Sequence, residues 1–258
     1  MKRVVVISDL HCGHVVGLTP PSHDIRRESE SGQLVDSMRR RYWKFYADTI
    51  DALKPIDVMI VNGDAIDGKG AKSGGTELIA PDREDQVAMA VDAILYAKAS
   101  KVFMSYGTGY HTGDQDDWEI GVARDVKAEK IGSHDWLDVS GVIFDYKHHA
   151  GSSQTPYGRH TAIAKEHTWN ILWNEHGEYP KSDIIIRSHV HYYGFAGGVS
   201  WCGFTTPALQ GYGSKFGSRR MSGTVDFGLL SFDVEGKEQW TWKAHILKQR
   251  KLHAVLKA

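Results

Sequence analysis

Short runs of consecutive apolar, mostly β-branched residues punctuate the chain, and each of them breaks off into Asp, Ser, Gly or His. Arg3-Val4-Val5-Val6-Ile7 is the first, and it ends in Ser8-Asp9-Leu10-His11. A continuous run of this kind, without polar alternation, fits a strand buried on both faces, and such strands belong to parallel or mixed sheets covered by helices. Residues 57–61 repeat the pattern and end in Asn62-Gly63-Asp64, residues 101–106 end at Gly107, residues 142–146 lead into His148-His149, and residues 183–187 end in Ser188-His189-Val190-His191. Between these runs the apolar spacing changes to that of helices. Leu34, Met38, Tyr42, Phe45, Ile50 and Leu53 predict a helix over 33–54, stopped by Pro55 and preceded by a long polar loop over 22–32. A second helix is expected over 82–100 with Asp82 as its N-cap, a third near Trp118, and a fourth over 161–176 closed by Gly177. Strands over 199–204, 224–234 and 239–247 complete the reading, with a hairpin-like turn at Glu235-Gly236.

Alternating strands and helices without an internal repeat or linker predict one α/β domain spanning residues 1–258. Composition then removes alternatives. Lys and Arg number 31 against 32 Asp and Glu, so a net charge of −1 lacks the overall basic footprint of a dedicated nucleic-acid binder. No apolar run approaches the roughly 20 residues of a membrane helix, and Met1-Lys2-Arg3 leads into a strand, not a signal peptide. The two cysteines, Cys12 and Cys202, are too few for a disulfide framework and are expected to be reduced thiols in a cytoplasmic protein.

The 14 histidines gain meaning from their positions. Asp9 and His11, two residues apart, share one face of an extended segment, and His189 and His191 repeat that spacing. With Asp64, His111 and the pair His148-His149 they place carboxylates and imidazoles where strands end, which is the edge at which α/β sheets build ligand sites. Mixed oxygen and nitrogen donors suit Mn²⁺, Fe²⁺, Zn²⁺ or Ni²⁺. A shared carboxylate can bridge two such ions, an arrangement that makes a hydroxide nucleophile and clamps a phosphoryl group.

These residues carry a resemblance. Asp9-Leu10-His11-Cys12-Gly13 resembles the D-x-H-x-G motif of the calcineurin-like metallophosphoesterases, and Gly63-Asp64-Ala65-Ile66-Asp67 is similar to their G-D-x-x-D motif. His149-Ala150-Gly151 resembles their isolated His after a strand, and Ser188-His189-Val190-His191 resembles G-H-x-H with Ser in place of Gly. The motifs run in the family's order over residues 3 to 210. The resemblance implies a four-layer α/β/β/α sandwich of mixed sheets and a hydrolase acting on phosphate esters; the basic and aromatic helix after the first motif and the basic loop near Arg219 put a phosphodiesterase or nuclease before a monoesterase. It also implies two divalent ions, Mn²⁺ foremost. Asp9, His11 and His191 would hold one ion, Asp64 would bridge, and His149, taken in preference to His148, would hold the other with His189. Asp67 would orient a ligand. One motif departs: where the family has G-N-H-[DE], this chain has Gly107-Thr108-Gly109-Tyr110-His111-Thr112, similar to a G-T-x-x-H variant of phage and microbial members. Thr108 or a water would take the place of the Asn, and His111 would be a general acid or a ligand. A non-catalytic binding module of the same fold is the competing class.

Other features have plainer readings. Cys12 is expected to be a small buried thiol, and Asp114, Asp116, Asp117 and Glu119 an acidic first helical turn. Arg39-Arg40-Arg41 is read as a solvated helix face before a polynucleotide contact. Lys215, Arg219 and Arg220 sit in a Gly- and Ser-rich loop where Arg219 could clamp a substrate phosphate.

Overall fold

The computed structural model describes residues 1–70, 73–112, 117–151, 153, 155–213 and 224–248. The first sheet has the order β11-β10-β1-β2-β3-β4, built from β1 (Lys2–Ile7), β2 (Val58–Asn62), β3 (Lys101–Ser105), β4 (Lys130–Gly132), β10 (Gly228–Gly236) and β11 (Gln239–Ile246). Strands β1 to β4 are parallel, and β10 returns antiparallel to β1. The second sheet, ordered β5-β6-β7-β9-β8, combines β5 (Asp135–Val139), β6 (Val142–Tyr146), β7 (Ile184–Arg187), β8 (Gly194–Gly197) and β9 (Cys202–Thr205).

The apolar runs work because both faces of each strand are covered. Val5, Ile7, Met59 and Val61 point outward, to Tyr42, Tyr46 and Ile50 of α1 (Glu30–Leu53) and to Val87, Ala90 and Ile94 of α2 (Arg83–Tyr96). Their neighbours Val4, Val6, Val58 and Ile60 point the other way and meet Phe144, Ile184, Ile186 and Phe204 of the second sheet. The period-2 side-chain alternation of strands thus divides one sequence run between two cores. α5 (Arg159–Glu175) packs on β7, β8 and β9, which completes a four-layer α/β/β/α sandwich of two mixed sheets, as expected.

Several boundaries differ from the sequence reading. The loop expected over 22–32 contains a 3₁₀ turn at Pro21–His23 and the start of α1, whose N-cap Ser29 accepts from the Gly32 N–H at 3.2 Å. The strand expected over 199–204 is β9, shifted to Cys202–Thr205, and it forms a hairpin with β8, a strand that the sequence reading does not include; the β10–β11 turn falls at Lys237-Glu238. β4 and β5 were not anticipated: each is an edge strand, charged and partly exposed, so neither carries an apolar run.

Phe204 is fully buried and packs edge to face on Phe232 across the sheets (ring centroids 5.5 Å apart, 83° between planes). Phe204→Ala should therefore lower stability by about 3–5 kcal/mol, read as a fall in the urea midpoint with an unchanged slope.

Candidate metal centre

The first layer of the site is backbone. Asp9 and His11 leave β1 alongside the segment that leaves β2, and the parallel pairing continues past both strands: Asp9 N–H donates to Gly63 O at 3.0 Å and His11 N–H to Asp64 O at 3.0 Å. Asp9, His11, Asp64, His189 and His191 all have positive φ, between 44° and 74°. They are five of the eight non-glycine residues with positive φ among those described. This left-handed region costs an L-residue about 1–3 kcal/mol and is concentrated in functional sites. Gly63, at φ 78°, lies so close to the His148 ring that a Cβ there would collide with it.

Beneath these turns runs a chain of fully buried polar side chains that joins the two sheets. Ser105 Oγ donates to Asn62 Oδ1 at 2.7 Å, Asn62 Nδ2 donates to Ser188 Oγ at 2.7 Å, and Thr206 Oγ1 lies 2.7 Å from both Ser188 Oγ and Ser8 Oγ. Ser188 is the residue that stands where the resembling motif has Gly, and its hydroxyl is a member of this chain. Sequence reasoning had no signal for it, since isolated Ser, Thr and Asn residues are ordinary.

Above it, the candidate ligands converge in three groups: Asp9, His11 and His191; His11, Asp64 and His111; Asp64, His148 and His189. Within each group the nearest donor atoms lie within 4.8 Å of one another. His191 Nε2 is 3.2 Å from Asp9 Oδ1, and His148 Nε2 is 3.0 Å from Asp64 Oδ2. The preference for His149 is corrected: His149 is exposed, its ring beside that of His189, whereas His148 is 2% exposed and points into the cluster. Adjacent residues at a strand end face opposite ways, and only the packing decides which faces in.

Three imidazoles share one hydrogen-bond logic. His148 Nδ1 faces Asn62 O at 2.7 Å, His111 Nδ1 faces Asp67 O at 2.8 Å, and His11 Nδ1 faces Asp67 Oδ1 at 2.9 Å. Carbonyl and carboxylate oxygens only accept, so each Nδ1 carries the proton and each Nε2 is turned inward, the arrangement of metal-ligating histidines. Asp67 fixes two of the three. Asp9 Oδ1 is buried and its nearest partner is His191 Nε2 at 3.2 Å, which leaves this carboxylate oxygen with unused acceptor capacity. The donor set fits divalent transition ions.

Electrostatics point the same way. Burial opposes ionisation of Asp9, but the charge and hydrogen bonding of His191 outweigh it and hold the carboxyl at about 2; His148 in the same manner lowers Asp64. Burial works against charge on His148, yet the Asp64 carboxylate, with Asp9, raises it to about 10. Burial, then the charge of His148, lowers His189 to about 4, and burial, then the charge of His11, lowers His111.

Thr108 sits in the third group. Its N–H donates to Asp64 Oδ1 at 2.6 Å, its hydroxyl to Asp64 Oδ2 at 3.2 Å, and His189 Nδ1 lies 3.1 Å from that hydroxyl. His111 belongs to α3 (Gly109–Thr112). Glu119, read from sequence as part of an acidic helical turn, is instead fully buried at the start of α4 (Glu119–Asp125). Burial, then the charge of Asp64, pushes it up to about 8. Arg39, expected on a solvated face, is fully buried and paired with Asp24 and Asp36, because the acidic residues that neutralise it are close enough to replace water. Cys12 is a buried thiol donating to Leu18 O at 3.2 Å, as expected. Arg219, Lys215 and Arg220 lie outside the described residues.

No protein-family model matches the sequence, and no curated protein matches it. Solved structures do. An archaeal protein characterised as a phosphodiesterase covers 94% of this chain and 99% of its own, at 10% identity and a TM-score of 0.50. Vacuolar protein sorting 29 from Cryptosporidium parvum covers 96% and 98%, also at 10% identity and 0.50. The chain has the fold of the calcineurin-like metallophosphoesterases.

Since His148 must lose a proton from Nε2 before that nitrogen can ligate, cation uptake at pH 7 should release protons and strengthen with pH, by about tenfold per pH unit for each proton displaced. Calorimetric titration with Mn²⁺ in buffers of different ionisation enthalpy measures the released protons directly.

Proposed function

We propose that this protein is a metal-dependent phosphoesterase acting on phosphodiesters, with two divalent cations held by Asp9, His11, Asp64, His148, His189 and His191. The observation that carries this reading is the set of imidazoles whose Nδ1 protons are committed outward while their Nε2 atoms face buried carboxylates. Asp64 and His11 each take part in two of the three donor groups, and of the two only the Asp64 carboxylate has a second oxygen with which to be shared, which supports it as the shared ligand. Mn²⁺ is the first choice, and Fe, Zn or Ni would suit the same donors. Bound cations would supply Lewis-acid polarisation of the phosphoryl oxygens and an acidified water.

The remaining chemistry belongs to the chain's own groups. Asp67 orients His11 and His111 together, so one residue ties a ligand to the neighbouring proton-transfer group. Among the described residues the carboxylate oxygen nearest His111 Nε2 is Asp64 Oδ2 at 3.9 Å, and the His111 side chain is 17% exposed. These features favour it as the imidazole that protonates the leaving oxygen, in its imidazolium form. Thr108, at the inner wall, would contact substrate or complete a cation's donor set. A nuclease reading loses the support of Arg39, whose guanidinium is spent on buried ion pairs. A cytoplasmic setting is supported by the two buried, unpaired thiols Cys12 and Cys202.

A second reading, a binding module of the same fold, is favoured by one observation: the Thr108 hydroxyl occupies the third donor group, and a neutral hydroxyl is a weaker ligand than an amide oxygen. Metal content separates the two, with about two ions per chain and Mn²⁺-stimulated hydrolysis of an aryl phosphodiester expected of the enzyme, and neither expected of the module. His111→Ala should slow esters with poor leaving groups about 10²–10⁴-fold and activated aryl esters much less; equal losses would move His111 among the cation ligands. Asp64→Asn should abolish turnover of both.

A further inference from the structure

Glu119 is a carboxylate buried to 0% exposure, and it forms no ion pair among the described residues. A buried carboxyl group, charged or neutral, is costly unless its oxygens are hydrogen-bonded. Here each oxygen has a strong donor: Oε1 accepts from the Ala65 N–H at 2.7 Å and Oε2 from the Gly107 N–H at 2.6 Å. Ala65 directly follows Asp64, and Gly107 directly precedes Thr108. One side chain, arriving from α4, therefore clips together the turn leaving β2 and the turn leaving β3. The two turns are in backbone contact there, because a Cβ on Gly107 would overlap Asp64.

The residue type follows from this geometry. Two N–H groups converge on two oxygens, and a carboxyl group offers an acceptor to each of them, in its acid form with the hydroxyl proton turned away from the donors. A glutamine has the same shape but would turn its NH₂ toward one of the donors. A shorter aspartate would keep both acceptors and fall a methylene short.

We propose that Glu119 is a positioning residue for the second cation site, setting the distance between Asp64 and Thr108 and through it the donor group that Asp64 forms with His148 and His189. The proposal deepens the metal-centre reading and rests on it. Glu119 does not touch a cation or substrate; it acts through the two peptide groups.

The test is Mn²⁺ titration of the full chain followed by electron paramagnetic resonance, comparing wild type with Glu119→Gln. Wild type should pass from an isolated-ion signal to that of a spin-coupled pair. The variant should bind the first ion as wild type does, need about 10- to 100-fold more Mn²⁺ for the coupled signal, and exchange its Ala65 or Gly107 amide proton faster in the metal-free state. If the glutamine variant does not fold, as judged by circular dichroism, Glu119→Asp is expected to show the same loss of the second ion. Equal affinities for both ions in wild type and variant would overturn the role of Glu119 and leave the metal centre standing. Failure of the wild-type chain to take up Mn²⁺ would overturn both.

Discussion

Two carboxylates, Asp9 and Asp64, are buried side by side at the place where the sheets meet. Like charges in a low-dielectric interior repel, and each would be expelled or neutralised without compensation. The compensation is a wall of imidazoles presenting nitrogen to those oxygens. It is incomplete, since only some of the imidazoles can carry a proton together. A site of this kind stores electrostatic free energy that a cation would release. The left-handed backbone at five of its residues is the matching structural cost, tolerated because ladder-like hydrogen bonds continue past the strand ends and leave these turns little freedom.

The rigidity comes from below and from one side. The buried chain from Ser105 through Asn62, Ser188 and Thr206 to Ser8 fixes the strand ends of one sheet against those of the other, so the acidic and imidazole side chains from both sheets hold a common register. Fully satisfied polar networks of this sort specify a unique arrangement better than apolar contact does. Glu119 adds the lateral constraint between the second and third strands. Together they place His148 of the second sheet within reach of Asp64 of the first.

The scaffold does not fix the chemistry. A phosphodiesterase and a vacuolar sorting protein share this architecture with the chain at equal TM-scores, and function resides in the side chains at the strand ends. In this chain those side chains are the acidic and imidazole groups of three convergent clusters, with the Thr108 hydroxyl against Asp64 and His189.

Much was legible in the sequence. Each apolar run that became a central strand was visible, because burial on both faces demands uninterrupted apolar residues, and most of the convergent acidic and imidazole side chains stood where those runs ended. Edge strands β4 and β5 were not legible, since partial exposure leaves them a mixed composition. Four decisions were made only in three dimensions: which of His148 and His149 turns inward, that Arg39 is consumed by Asp24 and Asp36, that Ser188 is a hydrogen-bonding member of the floor, and that Glu119 is buried. Each depends on a partner brought close by the fold from elsewhere in the sequence. Local pattern specifies what a residue can do, whereas burial and the nearest complementary charge select what it does.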